Sequence, residues 1–416
     1  MNPFWYFAHR AAQQSTFTAT RAAPESGYRI CIEGLGDWGN RVYRPAIGAA
    51  RASGSSIHAL YRDVRPLSLT PELRTWEQFE EKRSAYEPPP EACDLLIVAT
   101  PDTAHLGVLE AAAHPVGVAI VEKPFAATAA EAARACDLPG LVLGVDHYPA
   151  YIAAAADYAD QIWEHLGAEV ESVRFVLLQR APIEVPRIPS LGTGLTFDML
   201  SHFLALLVSL GIMGPLQYAA VAGAGQHLPL SPATSAGGPG HPEGLVYQAE
   251  TWSETRFTLA IGQPPSTVSC TGLVGKGFPV DVRFLELVAS SGAAVRLDLG
   301  SLSWREVGYP HGVVSLLSPA FRNNPGTWLR PDPSQILAVG PQLTTTRPYD
   351  GIVGQLTGGP TASRVSSCLF TLKECQWMMN LLEPLGTAAR QLARSNDRAD
   401  HDLGKYPAID DRWIWC

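Results

Sequence analysis

Short apolar runs rich in β-branched residues recur along the first third of the chain, and stretches with helical spacing separate them. Residues 28–33, 56–62, 94–100, 116–121 and 141–145 read as strands. Residues 71–86, 105–113 and 128–136 read as helices, and another helix opens just after residue 39. The runs at 94–100 and 116–121 are continuous rather than alternating, which marks strands buried on both faces of a sheet. Strand and helix in strict alternation predict an α/β fold with a parallel, doubly wound sheet. Beyond residue 150 the pattern changes. A helix at 151–166 precedes an alternating strand at 170–179 and an apolar helix at 195–207. Runs at 245–251, 255–261, 267–272, 281–290 and 294–299 then predict a large, mostly antiparallel open sheet. Residues 181–194, 223–244 and 310–360 are rich in Gly and Pro and read as loops, and 362–382 read as a helix. The expected organisation is an arm at 1–27, a nucleotide-binding domain at 28–148, an α+β substrate and oligomerisation domain at 149–395, and a polar tail at 396–416.

Composition narrows the function classes. Of 416 residues, 46% are hydrophobic and 17% charged, which suits a globular protein with a substantial core. A formal net charge of -9 without a basic block argues against nucleic-acid binding. No apolar run approaches the roughly 20 residues of a membrane helix, so a membrane partner is not expected. The seven cysteines are scattered without a CxxC pair, which points to reduced thiols in the cytoplasm and to no metal site. Phe4-Trp5-Tyr6-Phe7 is too short for a signal-peptide core, and the arm reads as ordered or frayed, with a faint likeness to a transit peptide.

The chemistry begins at residue 28. Tyr-Arg-Ile-Cys-Ile-Glu is followed by Gly34, Gly36 and Gly39, with Asp37 and Trp38 inside the turn, and then by a helix. Strand, glycine turn and helix form a dinucleotide-binding fingerprint. Gly34 permits the turn, Gly36 admits a pyrophosphate to the backbone, and Gly39 lets helix and strand approach. Phosphates would rest on the N–H groups at the helix start. An acid at the end of the second strand selects NAD in this arrangement. Arg62 stands there, with Arg65 beyond, and a guanidinium suits a 2′-phosphate, so NADP(H) is favoured over NAD(H). Asp63 is one residue away, and a surface arginine is the plain alternative.

Two further motifs follow: Thr100-Pro101-x-x-x-His105 after one buried strand, and Glu122-Lys123-Pro124 after the next. With the glycine turn, and in this order, they resemble the Gfo/Idh/MocA oxidoreductase family over roughly residues 28–150. The resemblance implies that Lys123 lies between nicotinamide and substrate, with Thr100, Pro101, His105 and Glu122 near the cofactor. His105 could equally be a packing histidine. Asp146-His147-Tyr148 is closer to the Asp-His-Tyr of the glucose-6-phosphate dehydrogenases, which implies that Asp146 orients a catalytic histidine and that His147 binds substrate, at a phosphate. Asp198 and His202 are four apart and share one helical face. They could be a simple ion pair. The resemblance raises the catalytic reading, with His202 as general base, oriented by Asp146 or Asp198. Lys276, between Gly275 and Gly277, could meet an anionic substrate or lie in a surface turn.

These readings converge on an NAD(P)-dependent oxidoreductase acting on a carbinol or carbonyl carbon of a sugar, sugar phosphate or cyclitol. By resemblance the chain forms a homo-oligomer, a dimer or tetramer. One alternative is an enzyme that retains NAD(P) for transient redox within an elimination or glycoside hydrolysis. Another is a non-catalytic NAD(P)-binding sensor.

Overall fold

A computed structural model describes residues 2–18, 27–36, 38–64, 79–82, 84, 86–89, 92–112, 116–179, 194–229, 246–262, 265–278, 281–299, 313–317, 336–339, 346–357 and 368–395. Two sheets organise them. The first contains β1 (Tyr28–Glu33), β2 (Ile57–Asp63), β3 (Phe79–Glu81), β4 (Cys93–Val98), β5 (Val116–Val121) and β6 (Leu141–Val145), with β15 (Leu369–Phe370) added from far downstream. Its order is β15-β6-β5-β4-β1-β2-β3. All its pairings are parallel except β15, which runs antiparallel to β6. The strand order reverses beside β1, and ligands of doubly wound sheets bind at such a switch point, outside the carboxyl ends of the strands.

The second sheet contains β7 (Val170–Gln179), β8 (Leu216–Pro229), β9 (Val246–Ile261), β10 (Ser266–Lys276), β11 (Val282–Ala289), β12 (Ala294–Asp298), β13 (Val313–Leu317) and β14 (Ile336–Val339). Its order is β14-β13-β12-β11-β7-β10-β9-β8. It is antiparallel apart from the β7–β10 pair. The helices are α1 (Pro3–Thr18), α2 (Arg44–Ala52), α3 (His105–Ala111), α4 (Ala129–Ala135), α5 (Pro149–Ala156), α6 (Ala159–Leu166), α7 (Leu195–Ser209), α8 (Thr346–Leu356) and α9 (Leu372–Ser395). No described helix is long and apolar enough to cross a membrane.

Local chemistry explains the elements that carry the site. α4 starts where Thr128 accepts the Glu131 N–H and the Glu131 carboxylate accepts the Ala127 N–H, a reciprocal cap. α7 is apolar around almost its whole circumference, and such a helix must be buried. Its first turn is capped by Glu250, whose Oε2 accepts the Thr196 N–H at 2.7 Å. One apolar cluster runs from Phe4 on α1 through α7 to Leu385 on α9, and takes in residues of both sheets. The site residues on β5, β6 and α7 are therefore set on one continuous core.

Several expectations need correction. Part of the helix expected at 71–86 is strand β3, paired with β2, and most of the remainder lies outside the described residues. The two strands expected at 245–251 and 255–261 are a single strand, β9. The loop expected at 223–244 begins as the end of β8. Residues 310–360, expected to lack regular structure, hold β13, β14 and α8. The helix expected at 362–382 starts ten residues later, at Leu372, after β15, and passes through Pro384. Residues 396–416 lie outside the described residues.

Candidate active site

The glycine turn joins β1 to a helical segment, Gly39–Tyr43, that runs into α2. Gly34 has φ of 92°, a conformation that L side chains rarely adopt. A Cβ at Gly39 would lie 2.7 Å from the Gly34 carbonyl oxygen, so helix and strand meet there. A Cβ at Gly36 would meet nothing within 4 Å. Space of that kind would let a pyrophosphate approach the backbone. Asp37 lies outside the described residues.

Arg62 is not placed to meet a 2′-phosphate. Its side chain is fully buried, and its Nη1 donates to Glu33 Oε1 at 2.6 Å and to the Glu87 carbonyl at 3.0 Å. Lys82 Nζ pairs with the other Glu33 oxygen at 2.7 Å. The buried Glu33 carboxylate claims both cations, because a buried charge must be paired. The neighbouring acid is also engaged: Asp63 Oδ2 accepts the Leu35 N–H at 2.7 Å. Arg65 lies outside the described residues.

The two motif turns are tied together by His105. Its Nε2 lies 2.8 Å from the Thr100 carbonyl and its Nδ1 3.2 Å from the Phe125 carbonyl. His105 is buried and positions the two turns from behind; the packing alternative describes its contacts. Pro101 caps the short turn that leads into α3. Glu122 is buried and accepts the Tyr43 hydroxyl proton at 2.6 Å. Burial pushes the Glu122 carboxyl up to about 7, against the lowering pull of Tyr43 and Lys123. The Lys123–Pro124 peptide is cis.

Two charged pairs stand beside these turns. Lys123 Nζ donates to Asp198 Oδ1 at 2.5 Å, with side-chain exposures of 20% and 22%. His202 Nδ1 lies 2.7 Å from Asp146 Oδ2, with exposures of 7% and 3%. Asp146 Oδ1 accepts the Tyr148 N–H at 2.8 Å, so both of its oxygens are engaged. The expected choice between Asp146 and Asp198 as the partner of His202 is resolved by geometry: Asp146 takes the histidine and Asp198 takes the lysine. Burial is the largest influence on His202 and lowers its pKa, with Lys123 reinforcing and Asp146 opposing. The ring is then neutral at neutral pH, with the Nδ1 proton directed to Asp146 and the Nε2 lone pair available as a base. Burial opposes the Lys123 charge, but Asp198 outweighs it, helped by Asp146 and Glu122, so the ammonium persists. Lys123 in turn overcomes the burial of Asp198 and holds it down at about 2, with Lys276 contributing.

His147 sits among rings: Tyr148 at 4.6 Å, His202 at 5.2 Å, Trp38 at 5.5 Å and Tyr349 at 6.4 Å between centroids. Both His147 nitrogens are buried without a hydrogen-bond partner, whereas Trp38 and Tyr349 lean on the Glu122 carboxylate. Buried polar groups are rarely left without a partner. Asp146, His147 and His202 offer ligand atoms within 4.8 Å of one another. A dication there would displace the His202–Asp146 hydrogen bond and face the Lys123 ammonium, so the arrangement reads as an acid–base pair.

No family model matches the chain, and no curated protein matches it. Solved structures do. Biliverdin reductase of Synechocystis sp. PCC 6803, in complex with biliverdin and NADP+, is 13% identical, with 87% of this chain and 99% of that chain covered at a TM-score of 0.56. UDP-N-acetylglucosamine 3-dehydrogenase of Acidithiobacillus ferrooxidans is 14% identical, with 88% and 99% covered at 0.55. An oxidoreductase of Thermotoga maritima is 11% identical, with 87% and 97% covered at 0.55. The fold is that of the Gfo/Idh/MocA oxidoreductases.

On this Gfo/Idh/MocA scaffold the structure brings together Trp38, Thr100, Glu122, Lys123, Asp146, His147, Asp198 and His202 around the ends of β4, β5 and β6 and the first half of α7. Lys276, at the end of β10, is near enough for its charge to act on Asp198. Three residues packed beside this cluster had no place in the sequence reading: Tyr43, Arg283 and Tyr349. Arg283 left little signal, since β11 is buried along nearly its whole length and its pattern does not alternate. Tyr349 lies in a stretch of weak pattern and left none.

Proposed function

We propose that this protein is an NAD(P)-dependent oxidoreductase that interconverts a secondary alcohol and a carbonyl on a sugar, sugar phosphate or cyclitol. The observation that carries the reading is the His202–Asp146 dyad set beside the Lys123–Asp198 pair. The glycine turn, with its open space at Gly36 and the unpartnered ring nitrogens of His147, fits a nicotinamide dinucleotide. Bound there, the nicotinamide would supply the two-electron exchange with the carbinol carbon. The other steps belong to the protein. His202 takes the hydroxyl proton on Nε2, and Asp146 stabilises the imidazolium that forms. Lys123 stabilises negative charge on the substrate oxygen, in a site where water is largely excluded. Asp198 holds the Lys123 ammonium in place. In the reverse direction His202 returns the proton.

The choice between NADP and NAD is open at this site, because the arginine that argued for NADP is engaged elsewhere. Leu216 and Tyr218, exposed by 38% and 58% on the edge strand β8, favour a homo-oligomer. The test is a fluorescence titration of cofactor-free protein with NADH and with NADPH. Saturable binding of at least one is expected. His202→Ala and Lys123→Met should retain it, while turnover in a sugar panel falls roughly 10²- to 10⁴-fold. Binding of neither nucleotide would overturn the reading.

A further inference from the structure

Arg283 is the second residue of β11, opposite Leu177 on β7. Leu285 and Leu287 follow it on the same face of the strand, and both belong to the core that α5, α6 and α7 cover. The guanidinium is therefore directed inward, and the residue is only 8% exposed. Its Nε and Nη1 are buried without a hydrogen-bond partner. Asp281 Oδ1 forms a loose ion pair with Nη2 at 3.7 Å, beyond hydrogen-bond reach. On the inner side the guanidinium hydrogen-bonds the Tyr148 hydroxyl, which leaves Nε and Nη1 unmet, and its charge is felt by His147 and Tyr151. The Tyr148 ring lies 4.4 Å from the His202 ring. Arg283 thus reaches the dyad through a single aromatic side chain.

A buried guanidinium with unsatisfied donors is costly unless something pairs with it. Neither site carboxylate can do so, since Asp146 is held by His202 and Asp198 by Lys123. Lys276 adds a second cation on the same side, acting on Asp198. The planar fork of an arginine matches carboxylate and phosphate, which both offer paired oxygens. His147 adds two unpartnered ring nitrogens nearby.

We propose that Arg283 anchors an anionic group of the substrate, a carboxylate or a phosphate, and so selects charged over neutral sugars. The inference rests on the oxidoreductase reading of the site and names its substrate class.

The test uses three matched probes on the full chain with saturating reduced nicotinamide nucleotide: glucose, glucuronate and glucose 6-phosphate, followed by isothermal titration calorimetry. At least one charged probe should bind roughly 10- to 100-fold more tightly than glucose, the margin of a charge-assisted hydrogen bond. Glucuronate and glucose 6-phosphate separate the carboxylate from the phosphate. Arg283→Met should abolish the margin and Arg283→Lys keep part of it, with nucleotide binding unchanged in both. Arg283→Gln, with the same measurement, serves if the methionine variant does not fold. Equal binding of the three probes, absence of binding by both anions, or a margin that survives Arg283→Met would overturn the proposal. Nucleotide binding is measured in the same samples, so its loss in the wild type marks failure of the oxidoreductase reading instead.

Discussion

Burial keeps the His147 imidazole neutral and pushes it down to about 3. Asp146 opposes the shift, and the charges of His202, Lys123 and Arg283 reinforce it. An unfolded histidine titrates near 6.5. Below that pH the unfolded chain binds a proton that the folded chain refuses, so stability is present above 6.5 and is lost as pH falls towards 3. His202 is shifted in the same direction and adds to the loss. Glu122 runs the other way. Its folded value of about 7 exceeds the ordinary carboxyl value, so its share of stability is lost as pH rises through that range. The total slope therefore mixes signs, and a difference between variants isolates one group. His147→Asn should show a smaller fall in urea midpoint between pH 7 and pH 5 than the wild type, with part of the slope retained through His202. Superimposable slopes would show that His147 is not held neutral by the fold.

The glycine turn separates two demands on one element. A Cβ at Gly34 would meet the Ala99–Thr100 backbone at 2.7 Å, and φ there is 92°. Gly34→Ala should therefore cost about 2 kcal/mol of stability, through strain and steric overlap. Gly36 has open space around its Cβ position, so Gly36→Ala should unfold at the wild-type temperature yet bind nicotinamide nucleotide more weakly. Thermal unfolding and nucleotide titration on the same two samples check both outcomes. Weakened stability in Gly36→Ala would place protein, not open space, at that position. This turn was legible in the sequence because the positive φ at Gly34 and the close approach at Gly39 call for glycine. The buried strands β4 and β5 were legible because continuous apolar runs leave few alternatives. Arg62 was misread because the sequence shows its place at the end of β2 but not the Glu33 carboxylate beside it. β9 was split in two because Ser253 and Glu254 interrupt its apolar pattern, although a strand accommodates polar residues between its partners. β10 was cut short because Gly275-Lys276-Gly277 read as a turn, yet Gly275 and Lys276 pair along the strand. The roles of Asp146 and Asp198 could not be divided by spacing alone, since Asp146 comes beside His202, and Lys123 beside Asp198, only in the folded chain.

At the scale of the molecule, distant segments hold the site in place. α1 was expected only as an arm, but Phe4 and Phe7 enter the main core, and Asn2 donates to the Ala159 carbonyl at 3.1 Å. Its Arg10 reaches across the chain. Nε donates to Glu374 Oε1 at 2.8 Å and Nη2 to the Leu369 carbonyl at 2.7 Å, while the guanidinium lies 4.7 Å from the Phe370 ring centroid. Leu369 and Phe370 are β15, the strand that extends the parallel sheet beside β6. The residue before it, Cys368, accepts the Asp146 N–H at 3.0 Å. An N-terminal arginine thus fastens the strand that holds the Asp146 backbone. Removing one partner of a buried pair leaves the other uncompensated, here the Glu374 carboxylate, and Arg10→Ala should cost about 3 kcal/mol in chemical denaturation. Arg10→Lys keeps the charge but not the two-pronged contact, and should recover part of the loss. Glu374→Gln should be milder, since it removes the charge and keeps the shape. The Arg10→Ala protein should also weaken the Asp146 support, so its turnover should fall further than its folded fraction accounts for. A wild-type denaturation midpoint in Arg10→Ala would show that α1 rests on the body without fastening β15.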